Sequence, residues 1–105
     1  MDELIARIEG AEMSPRELDG AIWCRLHGED AVLTPDLPWY MESLEDAVSL
    51  WPAGWYVQVT QIRFGMWQVK GGCGDKSVNA PADVESVAGS EAVARTIAAL
   101  RARAA

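Results

Sequence analysis

The fold class follows from residues 55–70, WYVQVTQIRFGMWQVK, where apolar and polar side chains alternate with a period of two. Trp55, Val57 and Val59 fall on one side of an extended chain, and the alternate residues Tyr56, Gln58 and Thr60 fall on the other. The segment at 63–65 contains glycine and suits a turn into a second strand at 66–70. This pattern predicts an antiparallel β-hairpin with one face packed against the protein and the other more exposed to solvent.

Four stretches around the hairpin have the 3.6-residue spacing of amphipathic helices, at 2–11, 14–28, 43–51 and 90–104. Their apolar stripes are Leu4, Ile5 and Ile8; Leu18, Ile22 and Leu26; Leu44, Ala47, Val48 and Trp51; and Val93, Ile97, Leu100 and Ala104. A serine precedes three of them as a predicted cap, at Ser14, Ser43 and Ser90. A capping box and Gly28 mark the start and the end of the second helix.

Two shorter segments complete the predicted architecture. Residues 71–75, GGCGD, are predicted to be a flexible connection, and residues 84–88 a weak third strand. Because the hairpin has apolar side chains on both faces, a helix layer on each side of the sheet would bury all the stripes. We therefore expect an α/β (α+β) fold, a small antiparallel three-stranded sheet sandwiched between helices, in one domain spanning 1–105.

Composition excludes several classes of protein. The chain has 105 residues, of which half are hydrophobic, and a net charge of -7, which indicates one compact soluble domain rather than a disordered chain. The acidic start predicts no signal peptide, and the lack of a run of about 18 apolar residues predicts no membrane span. Two cysteines are too few for a disulfide scaffold and favour a reducing cytoplasm.

Five segments in their order along the chain resemble a family of small phage and prophage proteins with an α-β-α sandwich domain. They are ELIARIE at 3–9, SPRELD at 14–19, SLEDAV at 43–48, WPAGW at 51–55 and AALRA at 98–102. The family has no assigned reaction, so the resemblance implies no catalytic residues. It implies a phage genome, a bacterial host cytoplasm, and a role in counter-defence or in the virion. The chain departs from the family before the last helix, where Pro81 comes early.

The motifs with chemical potential are weak. Cys24, His27 and Cys73 would need a fourth ligand for a structural zinc site. The glycines at 71–74 precede Lys76, but Asp75 intervenes and no helix follows, which is unlike a phosphate-binding loop. With a single histidine and no cleft of facing carboxylates indicated, we predict no enzymatic activity, no metal and no cofactor.

Charge and exposed aromatic residues point instead to protein binding. Residues 1–50 contain 12 acidic and 3 basic side chains, a balance of -9, whereas residues 51–105 contain 4 acidic and 6 basic ones, a balance of +2. An acidic half repels nucleic acid and attracts a basic protein surface. Trp39 lies in a proline-flanked loop, either tucked under it or presented to a partner; the other four tryptophans are expected to be packed or half-buried. The predicted partner-binding residues are Glu29, Asp30, Asp36, Trp39, Tyr40, Met41, Glu42 and Glu45.

Two functions from different classes fit these observations. The first is an anti-CRISPR-like inhibitor that blocks the basic nucleic-acid channel of a host defence protein, such as a CRISPR effector or a nuclease subunit, without binding nucleic acid or membrane itself. The second is a structural or assembly accessory of the virion, self-associating through the hairpin edge or an exposed tryptophan.

Overall fold

The computed structural model describes residues 2–10, 14–28, 37–73 and 83–104. The elements in chain order are α1 (Asp2–Gly10), α2 (Pro15–His27), α3 (Leu44–Val48), β1 (Trp55–Arg63), β2 (Met66–Cys73), β3 (Val84–Ala88) and α4 (Glu91–Ala104). This order and the antiparallel sheet β1-β2-β3 confirm the predicted α+β class. Within the described ranges, no helix is long and apolar enough to cross a membrane.

Helix α4 is the central element, because it is buried on two opposite sides. Ala94 and Ala98 pack with Val69 on the sheet, while Ile97 and Leu100 pack with the side chains of α1 and α2. Alanine on the sheet side allows the backbones of α4 and β2 to approach closely. Ile97 and Leu100 of the predicted apolar stripe on α4 are buried as expected. The buried surface is wider than a stripe, however, and extends around most of the helix.

The sheet has one covered and one open face. Val57 and Val59 face α4 together with Trp67. On the other face Gln58 and Thr60 are exposed. The expected second helix layer over this face is thus not found among the described residues, and α4 instead is the layer enclosed between the sheet and the other helices.

The three predicted serine caps are confirmed. The hydroxyl oxygens of Ser14, Ser43 and Ser90 accept hydrogen bonds from backbone N–H groups three residues later, at 3.3, 3.3 and 3.1 Å. Gly28 ends α2 with φ of 105° and donates its N–H to the Cys24 carbonyl. In such a left-handed conformation, glycine is favoured over other residues.

The predicted apolar face of α3 is partly wrong. Ala47 is fully buried, but Leu44 and Val48 are 45% and 47% exposed. Instead, Leu50, just beyond the helix, fills the core at 1% exposure. A helix of five residues has little more than one turn, so it turns few side chains inward.

The predicted flexible connection is also wrong over residues 71–73, because β2 continues to Cys73. Gly71 and Gly72 pair with Val57 and Tyr56 of β1. A Cβ atom built on Gly71 would lie 2.6 Å from the Trp51 ring, and one on Gly72 would lie 2.5 Å from the Tyr56 ring. The two glycines thus leave room for aromatic rings over the strand. Residues 74 and 75 lie outside the described residues.

We expect Gly71→Ala to lower the free energy of unfolding by about 1–3 kcal/mol, because the added methyl group overpacks the contact with Trp51. Gly89→Ala is the matched control, since the closest atom to its Cβ, the Gly65 carbonyl oxygen, lies at an ordinary 3.6 Å. Urea unfolding of both variants measures the difference. Equal stabilities would show that the Trp51 ring moves aside at no cost.

Candidate functional site

Arg16, in the first turn of α2, organises the segment that leads into α3. Its guanidinium donates hydrogen bonds to the carbonyl oxygens of Leu37 at 2.8 Å and Pro38 at 3.0 Å. The same group pairs with the Asp19 carboxylate at 3.2 Å and lies over the Trp39 ring, 3.8 Å from its centroid. A planar guanidinium suits these contacts because it has five donors and a face that stacks on aromatic rings.

Asp19 holds the segment from inside the protein. Its side chain is fully buried, and one carboxylate oxygen accepts a hydrogen bond from the Met41 backbone N–H at 3.0 Å. Burial raises the pKa of Asp19 above its ordinary value, and the hydrogen bond from Met41 and the contact with Arg16 only partly offset this. Asp19 therefore acts as a structural clamp and is not part of the acidic surface.

Trp39 is presented on the surface by this framework. Its backbone N–H donates to the Asp46 carboxylate at 2.8 Å, and its carbonyl oxygen accepts from the N–H groups of Glu42 and Ser43. The residue is nevertheless 46% exposed. Because the backbone is fixed on both sides and Arg16 covers one ring face, the other part of the ring is an ordered apolar surface.

We call Trp39, Arg16, Glu42 and Glu45 the Trp39 surface. Glu42 lies in the turn that follows Trp39, Glu45 lies in the first turn of α3, and both are exposed. The predicted binding residues that the structure brings together at the surface are thus one aromatic ring and two carboxylates. Sequence reasoning missed Arg16 as their organiser, although its i, i+3 spacing from Asp19 was a signal.

Tyr40 and Met41 correct the prediction of a three-residue hydrophobic anchor. They are only 3% and 5% exposed and pack in the core with the helices, and the Tyr40 carbonyl oxygen accepts a hydrogen bond from Thr96 of α4 at 2.9 Å. Their side chains therefore attach the loop to the hydrophobic core, and of the three residues only Trp39 is exposed as an anchor. The other predicted binding residues, Glu29, Asp30 and Asp36, lie outside the described residues.

The remaining tryptophans agree with their predicted packing. Trp23, Trp51, Trp55 and Trp67 are all half-buried. Trp51 touches both apolar clusters of the core, and its indole Nε1 is buried without a hydrogen-bond partner in the described structure.

The described residues contain no group of three or more histidine, cysteine, aspartate or glutamate side chains that could hold a metal ion. His27 stacks on Trp23 with ring centroids 3.8 Å apart. An open groove of about 570 Å³ between α1 and α2 is lined in part by Leu4, Cys24 and Arg25. Arg7 in this groove pairs with Glu3 at 2.7 Å, so the groove has mixed charge and shares no residue with the Trp39 surface.

Comparisons of the chain with protein-family models, with curated proteins and with solved structures gave no match. The candidate site is therefore defined by its own geometry.

The raised pKa of Asp19 predicts a pH effect on stability. A carboxyl whose pKa is higher in the folded than in the unfolded protein contributes stability that is present below the unfolded value and lost as pH rises through the folded value. We expect the difference in unfolding free energy between wild type and Asp19→Asn to favour wild type most at low pH. It should shrink as pH rises above about 4 and then become constant. Urea titrations of both proteins between acid and neutral pH measure it.

Asp19→Ala is the companion variant. It leaves the buried Met41 N–H without its acceptor and should cost about 3 kcal/mol. If the unfolding free energy of wild type relative to Asp19→Asn instead increased with pH, burial would not be the dominant influence on the pKa of Asp19.

Proposed function

We propose that this protein acts by binding another protein, and that the Trp39 surface seats on a basic, nucleic-acid-binding surface of its partner. In its most specific form the proposal is a phage counter-defence protein, anti-CRISPR-like, that occludes a CRISPR effector or nuclease subunit of the bacterial host. The observation behind it is an ordered, half-exposed tryptophan followed in the same loop and in the first turn of α3 by two exposed carboxylates. The phage origin rests on the sequence resemblance.

The chemistry of the Trp39 surface supports a protein partner. Tryptophan is enriched among the residues that dominate binding energy, particularly where it is held rigidly and surrounded by polar groups. Here the loop is already fixed by Asp19 and Asp46, so little conformational entropy is lost on binding. The cation of Arg16 is engaged by Asp19 and two carbonyl oxygens and adds little basic character to the surface.

Charge supports a basic partner surface. The described acidic side chains that are exposed in the helical half are Asp2, Glu3, Glu9, Glu17, Glu42 and Glu45. Two of them are paired, Glu3 with Arg7 and Glu9 with Arg101. The excess negative charge speeds encounter with a basic surface and competes with the phosphates that such a surface normally binds.

A second candidate function is a virion structural or assembly accessory that associates with itself. It is favoured by Phe64, which is fully exposed at the tip of the β1–β2 hairpin, close to the 52% exposed Ile62. Exposed apolar side chains at a hairpin tip are typical of contact sites.

The first experiment is affinity capture by the tagged protein from a lysate of bacteria that express CRISPR effectors and nucleases, followed by mass spectrometry. The proposal predicts a stoichiometric nucleic-acid-binding subunit that is released by high salt and competes with its nucleic acid. Capture of phage structural proteins would favour the second candidate. A captured subunit that binds its nucleic acid and this protein simultaneously would contradict occlusion.

Variants of the Trp39 surface then test the contact itself. With the purified partner, we expect Trp39→Ala to weaken binding by about 30-fold, the loss typical of a central aromatic residue. Glu45→Lys should weaken binding several-fold and reduce its dependence on salt. Glu85→Lys, the same charge reversal at an exposed position of β3, is the control. If the two charge reversals weakened binding equally, binding would depend on the net charge of the protein and not on a contact at the Trp39 surface.

A further inference from the structure

Strand β1 is an edge of the sheet with no strand beside it in the part of the chain that the structure describes. In the order β1-β2-β3 it pairs on one side only, and within the described chain no hydrogen bond from outside the sheet reaches its backbone. It is nine residues long, has no proline, and has a single charged residue, Arg63, at its end. Proteins normally protect such an edge with charge, proline or a covering segment, because its free N–H and C=O groups can pair with another strand.

The opposite edge of the same sheet has this protection. Strand β3 has five residues and includes the charged Glu85. The Glu85 carbonyl oxygen accepts a hydrogen bond from Arg101 of α4 at 2.6 Å, and the same guanidinium pairs with Glu9 of α1 at 2.9 Å. Since β3 is short, charged and held by a helix, strand addition is expected at β1.

We propose that two copies of this chain pair through β1, antiparallel, about a twofold axis at Val59. The sequence of β1 fits a copy of itself in this register, since residues 57–61, which precede the bulge between Gln61 and Arg63, then overlap in the two copies. Val59 meets Val59 of the second copy on the packed face, and Gln58 meets Thr60 of the second copy on the open face. The two central pairs thus match in polarity, whereas next to them Val57 meets the exposed Gln61 of the second copy.

The ends of the strand also fit. The register brings Arg63 of one copy to the Trp55 end of the other, where a guanidinium can stack on the half-buried indole. The pairing converts two three-stranded sheets into one six-stranded sheet.

The complementarity of β1 to itself favours a second copy over an unrelated peptide as the occupant, and charge at this edge does not oppose the pairing. A chain with a net charge of -7 repels its own copies in most orientations. This edge is an exception, because residues 55–62 contain no charge and the half of the chain from 51 to 105 has a balance of +2. The interface shares no residue with the Trp39 surface, so the dimer is independent of partner binding through that surface, and it extends the second candidate function by naming the strand through which two copies pair.

The test is sedimentation velocity of the full chain over a wide range of concentration, with two double variants at exposed positions of β1. Gln58→Glu with Thr60→Glu places like charges opposite each other in both symmetric pairs. Gln58→Glu with Thr60→Lys places opposite charges there. In both variants residue 58 lies opposite Lys70 within the chain, so both should fold. Both positions precede the bulge between Gln61 and Arg63.

We expect wild type to dimerise, and the dissociation constant of the like-charge variant to be about tenfold higher than that of the opposite-charge variant. Leu44→Glu with Val48→Glu adds the same two negative charges on exposed positions of α3 and should keep the dimer. Circular dichroism confirms folding of each protein.

Three outcomes overturn the proposal. A wild-type monomer at every concentration removes the dimer. Equal dissociation constants for the two β1 variants exclude this strand or this register. Loss of the dimer in the α3 variant alone places the contact at α3. Because no partner protein is present, none of these outcomes bears on the Trp39 surface.

Discussion

The burial of α4 on two opposite sides is the constraint on which the rest of the fold depends. Its alanines pack on Val69 of the sheet, and Ile97 and Leu100 pack on the side chains of α1 and α2. The alanines let α4 lie close to the sheet, whereas the larger Ile97 and Leu100 fill the wider space between α4 and the other helices. In a chain of this size, which buries only about two thirds of its surface, a shared central helix lets one element complete two apolar clusters.

A second, polar constraint connects the loop before α3 to this core. Asp19 and Arg16 bind the backbone of the loop at Leu37, Pro38 and Met41, and Thr96 of α4 binds it at Tyr40. Buried polar groups are stabilising only when their hydrogen bonds are satisfied. The satisfied network fixes the loop in one conformation, and a fixed loop can present Trp39 without the entropy cost of ordering it on binding.

The two proposed interaction surfaces differ in their physical basis. The Trp39 surface belongs to the acidic, helical half of the chain and would attract its partner by charge, with an aromatic contact at its centre. The β1 edge has no charged residue from 55 to 62 and would recruit a second copy through backbone hydrogen bonds. Because they share no residue, a dimer would display two Trp39 surfaces, and a partner with repeated basic sites would bind it with increased avidity.

The sequence by itself predicted the elements, since capping serines, stripes at helical spacing and alternation at residues 55–70 are local signals. It also predicted the acidic half and the separate character of Trp39. It failed at residues 71–73, where room for the rings of Trp51 and Tyr56 keeps two glycines in a strand. It also failed at Tyr40 and Met41, which it predicted as part of a binding surface, and it counted Asp19 only among the acidic residues, whereas all three are buried. Those properties were determined by the tertiary structure, because burial depends on contacts between residues that are far apart in the chain.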